Sequence, residues 1–361
     1  MIMKLRTIIS IILCVFYVIS IRCTNPVFDD NDPNDWIEYA NYYIPDVDYH
    51  DLDDVKDGIG LIKITIDSSD LVYLLINSKK RGFEWKKRCS VTATFGTETF
   101  IRKCNLKIHG GFSRRYYKKS FRLYFKDQNI QSDEIFKNFP NEYKLSNEFS
   151  ELVLNANYID ISNIRNYLSM YISSQLKAVT PRVSFTRLVI NDKYFGLYTI
   201  IERVNPNMIK KLLNHSNFDL LKSYTHEGNL KTVNDITKTQ NNDPTIGFEL
   251  KHGNWDSVKE LVFWLESDEY SYNILSSKLS ESALFGYSLG YFYCGVSDSY
   301  SKNYYFVFDK NEDEIFLIHW DSDASFGRGW DGEQLDASTL ICTPEYKWNY
   351  SKNHGKSRME I

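Results

Sequence analysis

Apolar and polar residues alternate in steps of two along much of this chain, the pattern of strands that bury one face. Strands are predicted on that basis at 60–66, 71–76, 91–94 and 99–101, the last two forming a hairpin about Phe95, Gly96 and Thr97. Residues 106–126 predict two more strands joined at Gly110-Gly111, with Phe121, Leu123 and Phe125 alternating with Arg122 and Tyr124. A short strand follows at 152–154. The runs 183–190 and 197–204 read as a hairpin around Asn191, Asp192 and Lys193. Two further β-like segments, 303–308 and 314–320, are joined by the polar turn 309–313.

Helical spacing takes over in three places. Residues 162–177 carry an apolar stripe of Ile164, Leu168, Tyr171 or Ile172, and Leu176, behind a cap at Asp160 or Ser162. Residues 256–266 place Val258, Leu261, Val262 and Leu265 on one face, and 280–293 do the same with Leu284, Tyr287, Leu289 and Phe292. These last two stripes are expected to form the core of a second lobe. The polar stretch 205–245 between the halves reads as a connector, with a short apolar piece at 219–222 that pairs with a sheet.

Composition narrows the class. Apolar residues make up 43% and aromatics 15% of the 361, with 26 Tyr and 22 Phe, which calls for a folded globular protein. A net charge of -4 gives no reason to expect a nucleic-acid partner. Lys4 and Arg6 precede an apolar run at 7–19, the length of a signal-peptide core and short for a membrane span. Residues 1–23 are therefore expected to be a signal peptide, with an uncleaved anchor as the lesser alternative, and the mature chain to be secreted with no membrane span. Residues 24–60 form an acidic segment without the Gly and Glu of an EF-hand loop. Cys89 and Cys104 flank the first hairpin, where a bridge is feasible in an oxidising compartment. The triplets at Asn214 and Asn349 are candidate glycosylation sites.

The candidate chemistry gathers at 296–327. Asp298 and Asn303 stand five apart, and Asp321 and Asp323 follow the second β-like segment. If the pleat continues past Trp320, Asp321 and Asp323 share one face. Two carboxylates in contact repel by about 4 kcal/mol at an intermediate dielectric, and a divalent cation or a shared proton relieves this. Asp and Asn oxygens are hard ligands, which favours Mg²⁺ or Mn²⁺ over zinc. An Asp-rich solvated turn is the plainer alternative. Upstream, Arg114, Arg115, Lys118 and Lys119 cluster beside the Gly pair, as a phosphate cradle or as a basic soluble hairpin. Arg165 and Asn166 flank the helical stripe, and Glu202 closes the 183–204 hairpin; each also fits an ordinary surface role.

Five blocks in order carry a resemblance to the CotH kinase family: KIHGGFSRRYYKKSFRLYF at 107–125, LNANYIDISNIRNYL at 154–168, VINDKYFGLYTIIERV at 189–204, DSYSKNYYF at 298–306 and WDSDASFG at 320–327. The resemblance spans about residues 62–327. It implies an α+β, two-lobed, minimal protein-kinase-like fold, with a β-rich N-terminal lobe at 61–204 and a mainly helical, possibly truncated C-terminal lobe at 205–361. It further implies binding of ATP with Mg²⁺ or Mn²⁺ and transfer of the γ-phosphate to Ser or Thr of an extracellular or surface protein. In that reading Asp298 is the catalytic base, Asn303 and Asp321 hold metal, and Asp323 is a second ligand or a loop cap. Lys119 is the phosphate lysine with Lys118 its competitor, and Glu202 and Arg165 are grouped with the nucleotide contacts. The helix at 162–177 has no acidic residue, so a Lys–Glu pair must draw on Glu151 or Glu202. Two other functions compete: a non-catalytic surface or coat-assembly protein, which has no need of these residues, and a metal-dependent hydrolase using Asp321 and Asp323, which His319 joins only if the pleat is regular.

Overall fold

A computed structural model of the protein describes Pro45, Asp48 and residues 58–335, except 83–84, 126–128, 141–142, 144, 226–227, 229, 231–244, 246, 268–270, 298 and 300–301. The predicted leader, most of the acidic segment, Asp298 and the Asn349 triplet lie outside the described residues.

The first part of the chain supplies β1 (Gly60–Ile66), α1 (Ser68–Ile76), β2 (Lys87–Phe95), β3 (Glu98–Ile108), β4 (Phe121–Tyr124), a small ribbon of β5 (Ile130–Gln131) and β6 (Glu148–Phe149), and β7 (Glu151–Asn155). Helix α2 (Arg165–Gln175), β8 (Val183–Ile190) and β9 (Lys193–Glu202) follow. Seven of these strands close into a barrel in the order β1-β2-β3-β4-β7-β9-β8. Closure is made by β8 lying parallel to β1, with Thr186 opposite Gly60 and Ile190 opposite Ile64, so no edge strand is left to pair elsewhere. Ile62, Ile64, Leu106, Phe121, Leu123 and Tyr198 are fully buried. Each such apolar side chain contributes about 1.5–3 kcal/mol of burial. Cys89 and Cys104 stand directly opposite on β2 and β3, as two free thiols.

The second part contains α3 (Pro206–Leu213), β10 (Phe218–Ser223), β11 (Phe248–His252), α4 (Asp256–Glu266), α5 (Tyr272–Lys278), a π-helical turn at 282–287 running into α6 (Ser288–Cys294), β12 (Tyr304–Asp309) and β13 (Glu314–His319). Its framework is a four-stranded sheet in the order β11-β10-β12-β13. Among the described residues no helix is long and apolar enough to cross a membrane.

The two-lobed, kinase-like fold with a mainly helical C-terminal lobe is therefore corrected: the chain is β-rich, with a closed barrel followed by a sheet. The helical stripes at 256–266 and 280–293 do form helices, but the framework is the sheet. Three of its strands fall where they are expected, at 219–222, 303–308 and 314–320; β11 (Phe248–His252) and the joining of all four into one sheet are what the sequence does not show.

Two local expectations also change. Residues 71–76 are helical, because Asp67 accepts from the backbone N–H of Ser69 and Asp70 and caps α1, whose Leu71, Leu74 and Leu75 bury one face. Helix α2 buries Asn166, Ser169, Met170, Ser173 and Ser174, while the apolar stripe at 164, 168, 171 and 172 is half-exposed. Small side chains are needed there: a Cβ on Gly290 of α6 would lie 2.3 Å from Ser173 Oγ. Leu289 and Phe292, expected in a core, face solvent.

Candidate active site

The β12–β13 hairpin explains how residues eighteen apart in sequence meet. Tyr304 pairs with His319 at its open end, so Asn303, just before β12, and Asp321, just after β13, leave neighbouring strands at the same edge. Both have left-handed backbones, with φ of 62° and 59°. Asn and Asp tolerate that region better than other residues with a Cβ, and such strained positions concentrate at functional sites. The pleat does not continue beyond His319, so Asp321 and Asp323 reach their common cleft through a left-handed turn and not by strand alternation.

Helix α2 holds this turn with its buried polar face. Ser322 N–H donates to Asn166 Oδ1 at 3.3 Å, Ser169 Oγ donates to Ser325 Oγ at 2.9 Å, and Ser325 Oγ donates to Ser322 O at 2.8 Å. Ser297, one residue before Asp298, donates its N–H to Ala324 O at 2.9 Å. Asn166 Nδ2, Ser299 Oγ and Ser322 Oγ are buried with no hydrogen-bond partner among the described residues. Polar groups of this kind cost stability unless something satisfies them.

The cleft measures about 450 Å³, and Asn303, Asp321, Asp323 and Lys118 all line it, with Gly110 and Gly111 at one wall. Nine lysines and arginines face it against three carboxylates, Glu249, Asp321 and Asp323. Its deepest cations sit over aromatic rings. Arg203 lies 5.3 Å from the Trp320 ring centroid and donates Nη1 to Tyr305 OH at 2.5 Å. Lys222 Nζ lies 5.6 Å from Trp320 and 5.8 Å from Tyr305. Among the described residues Lys222 makes no ion pair within 4 Å. Burial lowers its pKa and Arg203 adds to that, while Tyr305 and Asp321 pull the other way. Burial alone would raise Tyr305, yet Arg203 and Lys222 bring it below its ordinary value. Burial, then Arg203, Arg122 and Lys222, hold the His109 imidazole well below its ordinary pKa and therefore neutral. An anion placed here would offset the mutual repulsion of Arg203, Lys222 and Arg122.

An aromatic rim surrounds the mouth. Tyr116 and Tyr158 stack with centroids 4.3 Å apart, and Phe112 meets Trp330 edge-on at 5.7 Å.

The sequence profile of the family described as CotH kinase protein matches residues 106–357, more than half of the chain. The chain belongs to that family. It is also 26% identical over 199 residues to inner spore coat protein H of Bacillus subtilis (strain 168), an alignment that covers 52% of this chain and 53% of that relative. The chain thus spans about half the length of the curated relative it matches.

In this CotH-family chain the cleft gathers Asn303, Asp321, Asp323 and Lys118 of the expected residues, and leaves others out. Lys118 Nζ is tied to Leu197 O at 2.6 Å, and burial lowers its pKa to about 8. Lys119 does not line the cleft; its Nζ donates to Arg114 O at 2.7 Å. Glu202 is 6% exposed and forms a two-pronged pair with Arg182, both contacts at 2.9 Å. Arg165 is held at the start of its helix by the buried Asp160, which accepts from the Arg165 N–H at 2.8 Å and pairs with its guanidinium. His319 is packed between Tyr287 and Tyr291, at 4.4 and 4.2 Å, and does not reach the cleft, which removes it from a hydrolase ligand set.

Lys222, Arg203 and the aromatic rim went unread in the sequence, and Asn166 was read only as a polar neighbour of the helical stripe. Arg203 stood next to Glu202 in a quoted block, and Lys222 ended the short apolar piece at 219–222; both are strand-end cations, which carry no local motif.

Lys119 leaves a separate, measurable mark. Burial, then Lys79 and Arg114, bring its pKa from an ordinary 10.5 to about 7. Between those values the unfolded chain holds a proton that the fold releases, so stability rises as pH climbs from about 7 to about 10. The full effect is on the order of 5 kcal/mol. Urea unfolding of wild type and Lys119→Met should show wild type gaining on the variant across that window; parallel profiles would refute a buried, destabilising Lys119.

Proposed function

We propose that this CotH-family protein transfers the γ-phosphate of ATP to Ser or Thr side chains of another protein, using Mg²⁺ or Mn²⁺. The observation that carries the reading is that one cleft is lined both by the Lys222 ammonium, which has no ion pair among the described residues, and by the oxygen donors Asn303, Asp321 and Asp323. Among the described residues no three His, Cys, Asp or Glu side chains converge as a metal cage. A Mg²⁺ site needs none: one or two carboxylates suffice, with waters and nucleotide phosphates completing the octahedron. Two Asp carboxylates and one Asn amide fit that requirement. The metal would neutralise phosphate charge.

Lys222, Arg203 and Arg122 then face the phosphates, and the rings at Tyr116, Tyr158 and Trp330 offer surfaces on which a nucleobase stacks. Asp298, by its place in the family motif, takes the proton of the acceptor hydroxyl. Positioning and charge neutralisation carry most of such a reaction. The family's name and the spore coat relative support a phosphotransferase of extracellular or coat surfaces, and we infer secretion from the apolar run at 7–19.

The test is thermal unfolding of the leaderless chain with ATP, with and without Mg²⁺. At a hundred times the dissociation constant, binding stabilises by about 2.7 kcal/mol. The expected result is a Mg²⁺-dependent rise in Tm that Asp321→Asn abolishes. A folded protein with no rise would sink the reading. One observation favours a second reading, a non-catalytic surface-assembly protein: Phe285, Leu289, Phe292 and Tyr293 form an exposed apolar stripe on the turn leading into α6 and on α6 itself.

A further inference from the structure

At the other end of the β12–β13 hairpin lies a second groove, of about 610 Å³. One wall is a single face of α4, where Asp256, Glu260 and Trp264 recur every four residues. The floor is apolar, made by Leu261, Phe308 and Ile315, all buried. Glu314 completes the opposite wall.

Charge in this groove is one-sided. Its two lysines are already neutralised by carboxylates of the protein itself, Lys278 by Asp313 at 2.5 Å and Lys310 by Asp219 at 2.8 Å. Asp256, Glu260 and Glu314 have no ion-pair partner among the described residues. Burial first, and then the nearby carboxylates of Asp309 and Glu312, raise the Glu314 pKa. An apolar floor beneath a half-buried Trp, rimmed by unpaired carboxylates, matches a segment with an apolar residue between lysines or arginines. The apolar side chain covers Leu261 and Ile315, and the cations meet the carboxylates and the Trp264 ring face.

We propose that this groove docks a basic, apolar-anchored segment of the protein that accepts the phosphoryl group, an inference that rests on the phosphotransferase reading for the word "accepts". The hairpin sets the spacing. From the Asp309–Glu314 rung at the groove to the Tyr304–His319 rung at the active site is five residues, or about 17 Å of strand. The Ser or Thr acceptor therefore lies at least about five or six extended residues from the docking segment. The active-site cleft, rich in lysine and arginine, repels the same basic segment and keeps it from binding there.

The test uses the leaderless chain and a fluorescein-labelled peptide of alternating Lys or Arg and Leu or Phe, with a second peptide carrying Glu at each basic position. Anisotropy should show the basic peptide binding, at least tenfold more weakly in Glu260→Lys and in raised salt, and more weakly in Trp264→Ala. Equal binding of the acidic peptide, or undiminished binding to Glu260→Lys, would overturn the proposal; so would binding that divalent cations alone displace, which would mark a metal site. The Mg²⁺-ATP rise in Tm, measured on the same samples, should survive Glu260→Lys. Peptide binding without any ATP response in wild type would overturn the acceptor clause and the phosphotransferase reading, while upholding the groove as a docking surface.

Discussion

Replacing Lys222 with Met is expected to weaken Mg²⁺-ATP binding by about 10- to 100-fold while leaving the fold at least as stable as before. The size follows from a charge-assisted hydrogen bond to phosphate, about 1.5–3 kcal/mol, at about 1.4 kcal/mol per tenfold. The second half follows from the present environment of the ammonium. It lies over two rings, is lowered in pKa by burial, and makes no ion pair among the described residues. Deleting it from the empty protein removes a cost and leaves no carboxylate orphaned, the reverse of breaking a buried pair. Calorimetric titration of wild type, Lys222→Met and Lys119→Met separates the candidates. Lys119→Met should bind as wild type does, because Lys119 points to the Arg114 carbonyl and not into the cleft. An unchanged dissociation constant in Lys222→Met would remove Lys222 from the nucleotide site.

Much of the local structure was legible because it is written in neighbouring residues. The β12–β13 hairpin follows from two apolar runs and a polar turn, and that pairing alone brings Asn303 beside Asp321. The β8–β9 hairpin follows from Asn191 and Asp192, whose positive φ angles suit a tight turn. What sequence could not announce is what distant segments decide. Barrel closure joins β1 to β8, more than a hundred residues apart, by a parallel pairing that has no turn signal of its own. The buried face of α2 is polar because it meets the Ser322 turn and Gly290, so a rule that seeks apolar stripes picks the wrong side of that helix. The site divides the same way. The oxygen donors sit in a short motif that singles them out, whereas Lys222 and Arg203 come to line the cleft only once the sheet and the barrel place them over Trp320.

Glu202 shows a charge that fitted a nucleotide contact or an exposed surface and that the fold buries against Arg182. Its carboxylate accepts from Arg182 Nε and Nη2, both at 2.9 Å, and the Arg182 guanidinium also donates to Asn147 Oδ1 at 2.6 Å and Ser146 O at 2.7 Å. The guanidinium lies against the Phe136 and Phe149 rings, at 5.2 Å from each centroid. Arg182 and Glu202 thus tie β8 and β9 to the loop before β6. Glu202→Ala should destabilise the fold by about 3–5 kcal/mol, because it strands a buried guanidinium. For a chain of this size that is about 4–7 °C in Tm. A double change of Arg182→Met with Glu202→Leu should recover most of the loss, since an apolar pair of similar volume replaces a bridge whose desolvation offsets much of its attraction. Urea denaturation of the three variants measures this, and nucleotide titration of Glu202→Ala below its Tm completes it. Full stability combined with lost ATP binding would return Glu202 to the nucleotide site. The geometry predicts the reverse, because the carboxylate spends its hydrogen bonds on Arg182 and does not line the cleft.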